Sequence, residues 1–70
     1  MLDKLRTFIE SCVRHADRLN TLDATQSFYN QAFGALSFAV DTGLVTEEEA
    51  QNLWNVEFYN TWIELCERGR

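Results

Sequence analysis

Cys12 and His15 stand three residues apart, a spacing that puts both side chains on one face of a helix. A thiolate and an imidazole so placed can share a metal ion, or act as nucleophile and base. Zinc needs four ligands, or three and a water. The chain holds one histidine and two cysteines, so only Cys66 and carboxylates remain to complete such a set. No second C-x-x-H or C-x-x-C is present. Nucleophilic catalysis by Cys12 or a serine would need His15 and an orienting acid. The sequence shows no glycine-rich phosphate loop, nucleophile elbow or paired-histidine motif. The expectation is a non-enzymatic chain without metal or cofactor, with His15 at the edge of a helix face.

Two other groups invite chemistry and yield a structural reading. Glu47, Glu48 and Glu49 resemble a carboxylate cluster, but they follow Thr46, where the first turn of a helix favours negative charge. Cys12 and Cys66 could form a disulfide. In an up-down-up bundle their helices run parallel and the two residues differ in height by about 15 Å, against the ~6 Å that a bridge spans between Cα atoms. Two free thiols packed as small hydrophobes are the expected outcome.

The elements that must position these residues are helical. The 70 residues contain no proline and three glycines, and apolar side chains recur at steps of three and four. Leu2, Leu5, Ile9, Cys12, Ala16 and Leu19 mark a first amphipathic helix over 2–19, with Phe8 and Val13 widening its stripe. Asn20, Thr21 and Asp23 are capping residue types. Asp23 with Gln26 reads as a capping box and starts a second helix over 24–42. Its apolar side holds Phe28, Tyr29, Ala32, Phe33, Ala35, Leu36, Ala39 and Val40. Gly34 falls outside the main arc and reads as tolerated. Gly43 ends this helix in a left-handed cap, with Leu44 expected to fold back on Phe38 or Ala39. Thr46 and Glu49 form a second capping box, with Val45 and Ala50 at the staple positions. A third helix follows over 47–67. The fold class is all-α, a single three-helix bundle with short connecting turns.

The third helix is apolar on two sides. Ala50, Leu53, Trp54, Phe58, Trp62 and Leu65 form one stripe; Val56, Tyr59, Ile63 and Cys66 form another. Together they cover roughly 200°, twice the ~100° that one core face needs. Each helix of a three-helix bundle touches two others, so a bundle could bury both; it more readily absorbs the first stripe and part of the second, and the favoured reading is an exposed strip. Monomers seldom keep a large strip without a binding role. It either pairs with a copy of itself across a two-fold axis or docks another protein, with Tyr59 or Trp62 as anchor.

Charge narrows the class of partner. The net charge is −5, and residues 19–67 hold no lysine or arginine. Arg68 and Arg70 face eight acids beyond residue 20. Phosphate contact needs clustered cations, so direct nucleic-acid binding is not expected. Asp41, Glu47, Glu48, Glu57 and Glu64 instead suit a basic protein partner. No apolar run approaches the ~20 residues of a membrane span. Asp3, Lys4 and Arg6 interrupt any signal peptide. A cytoplasmic protein is expected, and the initial Met1 with the polar end Glu67-Arg68-Gly69-Arg70 suggests a complete small gene product.

The stretch FGALSFAVDTGLVTEEEAQNLW, residues 33–54, resembles small acidic helical proteins of unknown function from phages and bacterial mobile elements. The shared pattern is an Ala-Phe-rich helix, a Gly-Leu turn, then a threonine-capped acidic helix with tryptophan. The resemblance implies a setting in which such proteins bind and block host proteins. Inhibitors of CRISPR nucleases are among them. It assigns no role to any single residue.

Overall fold

The structure, a computed structural model, describes residues 1–69, and Arg70 lies outside the described residues. The chain forms α1 (Leu2–Leu19), α2 (Leu22–Asp41), α3 (Glu47–Asn52), a π-helical segment (Leu53–Phe58) and α4 (Tyr59–Arg68). The last three follow one another without a break and make the third rod of an all-α three-helix bundle.

The turns are fixed by local chemistry. Asn20 ends α1 at φ 52°, with its backbone N–H donating to Ala16. Asparagine tolerates this left-handed conformation better than most residues. Thr21 follows directly in extended conformation, and its hydroxyl accepts from the Ala24 N–H at 3.1 Å. The second helix is therefore capped two residues before the expected Asp23, and Leu22 joins its first turn half-buried. Its other end is a Schellman motif. Gly43 sits at φ 77°, the Leu44 N–H donates to Ala39, and the Gly43 N–H donates to Val40. Leu44 stays exposed, and the neighbouring Val45 is the residue that enters the core. Thr46 and Glu49 form the reciprocal capping box: Glu49 N–H to Thr46 Oγ1 at 3.0 Å, Thr46 N–H to Glu49 Oε1 at 2.9 Å. Val45 and Ala50 are both buried, as a hydrophobic staple requires.

The core draws Leu5, Ile9, Cys12 and Ala16 from α1 and Ala32, Leu36 and Ala39 from α2. Small residues on both helices bring their backbones close. The third rod supplies the bulk through Leu53, Trp54, Phe58, Trp62 and Leu65.

The π segment corrects the reading of that rod as a regular helix. In an uninterrupted helix Trp54, Phe58 and Trp62 would drift about 40° at each four-residue step. The six core residues of the rod would then spread over about 180°. Here the Tyr59 N–H donates to Trp54, five residues back, and Phe58 takes φ −123°. A π turn holds one extra residue and so sets the following side chains back by about 100°. With that setback, Ala50, Leu53, Trp54, Phe58, Trp62 and Leu65 share an arc of about 100°. All six are buried.

Candidate protein-interaction face

The same setback divides the second apolar stripe. Val56 precedes it, while Tyr59, Ile63 and Cys66 follow it, so they stand more than about 100° apart around the rod. Val56 is 77 % exposed and lies on the α1 side, near Leu2, Arg6 and Glu57. Tyr59 (53 % exposed), Ile63 (39 %) and the half-buried Cys66 lie on the α2 side, beside Tyr29. Trp62 leaves the strip altogether: it is 2 % exposed and cannot serve as a surface anchor.

Two seams flank the third rod. Arg6 crosses the α1 seam and grips Glu57 with two hydrogen bonds, Nε to Oε1 at 2.8 Å and Nη2 to Oε2 at 3.1 Å, while also pairing Asp3 at 2.8 Å. Farther along, Arg68 pairs with Asp17, and Glu64 lies in the same hollow with Arg14. Arg6, Arg14 and Arg68 thus lie along this side.

The α2 seam has no such closure. At one end Phe33, Leu36, Val40, Ala50 and Trp54 line a groove of about 560 Å³, with Asp41 and Glu47 on its rim. At the other end Tyr29, Tyr59, Trp62, Ile63 and Cys66 line a hollow of about 290 Å³ that also touches Glu67. Rings join the two. Tyr29 stacks on Phe33 (6.1 Å, 6°) and meets Trp54 and Trp62 edge-on at 5.3 and 5.6 Å. Phe33 meets Trp54 edge-on at 5.6 Å, although it is 47 % exposed. Such pairs are each worth about 0.5–1.5 kcal/mol beyond area burial, so the seam is braced as well as open. Among the described residues no lysine or arginine lines either end.

The five acids therefore do not form one surface. Asp41 and Glu47 border the open groove, with Glu48 exposed beside them in the first turn of α3. Glu57 and Glu64 belong to the α1 side. Tyr29 and Phe33, assigned from sequence to the apolar side of α2, turn out to build the face. Their position about 60–100° off the Ala32 direction was the available signal.

The possible reactive groups are placed otherwise. His15 Nδ1 donates to the Ser11 carbonyl at 2.8 Å, one turn back, and its ring lies 5.5 Å from Phe28. Cys12 is buried among apolar side chains, which pushes its thiol pKa up and disfavours the thiolate. Both cysteines are free. Among the described residues no three His, Cys, Asp or Glu side chains gather as a metal site. Trp62 Nε1 is buried without a hydrogen-bond partner among the described residues, a cost of about 1–3 kcal/mol inside the aromatic cluster. Among the described residues no helix is long and apolar enough to cross a membrane.

No family model matches the chain, and neither a curated protein nor a solved structure matches it.

Proposed function

We propose that the chain is a non-enzymatic protein-binding module that docks a basic partner along the α2 seam. The observation that supports this most is the pairing of exposed apolar side chains with acids: among the described residues Phe33, Tyr59 and Ile63 stand open on a face bordered by Asp41 and Glu47 and lined by no cation. Aromatic anchors supply affinity, and unpaired rim charge supplies steering. An acidic domain seated on a basic surface denies that surface to phosphate-bearing ligands. The finer form of the reading is therefore an inhibitor of a host protein with a basic or nucleic-acid-binding surface, of the phage and mobile-element kind that the resemblance implies.

The test is capture on the immobilised chain at low and high salt, comparing the unaltered chain with Ile63→Glu. A basic protein retained at low salt, released as the Debye length shrinks to about 3 Å near 1 M, and lost with Ile63→Glu agrees with the proposal. Retention that ignores both salt and Ile63→Glu counts against it.

Self-association is a second reading, favoured by the exposed Tyr59 and Ile63. Light scattering across a wide concentration range separates the two. A dimer that Tyr59→Lys with Ile63→Glu converts to folded monomer would assign the face to a second copy.

A further inference from the structure

The α2 seam has the form of a groove between two antiparallel helical rods, and its sockets differ in character along its length. We propose that its occupant is an amphipathic α-helix of about 20 residues with lysine or arginine at both ends, a proposal that rests on the protein-binding reading above.

Three observations carry this. First, the length fits. From Glu47 to Cys66 the third rod runs about 28 Å at 1.5 Å per residue, the span of a helix of about 19 residues. Second, the groove offers side-chain sockets and no main chain. α2 and the third rod satisfy their backbone groups within their own helices, and no strand edge exists among the described residues for an extended segment to join. Affinity must then come from apolar side chains set into pockets, which is how a helix binds a groove. The socket at Phe33, Val40 and Trp54 and the socket at Tyr29, Tyr59 and Ile63 lie about three helical turns apart, on the same side of the molecule. Third, charge is confined to the ends. Asp41 and Glu47 rim one socket, where Gln51 and Asn55 add neutral polar contacts, and Glu67 touches the other. Helix ends bearing Lys or Arg meet acids, and the apolar middle meets rings. A second copy of this chain would bring the same acids to the same rim, where like charge opposes it.

The probe is a panel of dye-labelled 20-residue peptides: helices with Leu or Phe spaced for the two sockets and Lys at both ends, the same helices with Glu for Lys, and the same with a central proline. Binding is read by fluorescence anisotropy and by protection of Cys66 from alkylation, with the buried Cys12 as internal control. Lys-ended helices should bind near the micromolar range, about −8 kcal/mol, and slow Cys66 alkylation. The Glu-ended and proline-broken forms should bind more than about tenfold more weakly. Asp41→Asn with Glu47→Gln should lose about tenfold for the Lys-ended peptide; these factors correspond to about 1.4 kcal/mol.

Equal binding by the proline-broken peptide would overturn the helical occupant. Equal binding by the Glu-ended peptide, or indifference to the Asp41 and Glu47 changes, would overturn the charge assignment. No binding by any peptide would overturn the proposal, and a basic protein still captured in an Ile63-dependent way would leave the protein-binding reading standing. Peptide binding without any captured protein would do the reverse.

Discussion

The two seams of the third rod are built from the same helix and differ in what closes them. On the α1 side, Arg6 and Arg68 reach across to Glu57 and Asp17, with the exposed Val56 beside Arg6. On the α2 side, rings pack edge to face beneath a groove that no cation among the described residues borders. Three of the chain's few cations, Arg6, Arg14 and Arg68, lie along one seam, and the other shows rim acids and exposed rings. Net charge alone does not reveal this. A value of −5 spread evenly would only favour solubility.

The contrast can be broken at its root. Trp62 lies under the open seam, and Trp62→Ala should cost about 3–5 kcal/mol. A domain of this size has roughly 4–10 kcal/mol in all, at about 0.05–0.15 kcal/mol per residue. Urea unfolding should show most of the transition lost. Trp62→Phe keeps a ring in the cluster and removes the unpartnered N–H, so it should cost less than half as much. Equal losses would mean that the ring contacts do not brace the seam.

Deleting Val56 sharpens the comparison. One residue removed from a regular helix turns everything beyond it by about 100°. Deletion of Glu10 from α1 should therefore unfold the protein. Deletion of Val56 removes the extra residue of the π turn and leaves α4 in phase, so the chain should stay folded within about 2 kcal/mol. Far-ultraviolet dichroism melts of both deletions decide this, and an unfolded Val56 deletion would refute the register account.

Gly34 asks whether the open seam reflects a weak α2. A Cβ at Gly34 meets nothing within 4 Å. Gly34→Ala should stabilise by about 0.5–1 kcal/mol and leave peptide binding unchanged. A loss of binding with the gain in stability would mean that the seam depends on α2 being loose.

The smallest effect concerns Glu49, which lies on the closed α1 side with Glu57. The hydrogen bond from the Thr46 backbone N–H, and then the Thr46 hydroxyl, hold the Glu49 carboxyl below the usual glutamate range. Its contribution to stability is present above the unfolded-state value, about 4.3, and is lost as pH falls through the lower folded value. Glu49→Gln should flatten stability in that acidic window and change little at neutral pH. An unaltered acid limb in a pH series of melts would reassign it to other carboxylates.

Much of the fold was legible in the residues. The steps of α1, the cap at Gly43 and the Thr46–Glu49 box are local signals, and each is realised by contacts within a few residues. The start of α2 was not, because Thr21 and Asp23 are both competent caps. The choice fell to Thr21 once Asn20 had closed α1 in the left-handed region. The face was half legible. Tyr59, Ile63 and Cys66 were visible as apolar surplus, but their distance from Val56 was not. A π turn has no residue signature of its own here and arises from the need to bury Phe58, Trp62 and Leu65 beside Trp54. The partition of the acids followed from the same rotation and from the reach of Arg6 to Glu57.

The aromatic cluster also gives the molecule an optical signature. Both tryptophans of the chain belong to it, with ring centroids 6.2 Å apart at 21°. Indoles so close couple their transitions, and Tyr29 lies within energy-transfer range of both. Near-ultraviolet dichroism and intrinsic emission therefore report almost wholly on how the third rod sits against α2. They are nearly blind to α1, which carries no tryptophan or tyrosine. A change in that spectrum without loss of helix signal would register a partner settling on the rings, in a protein that needs no added label.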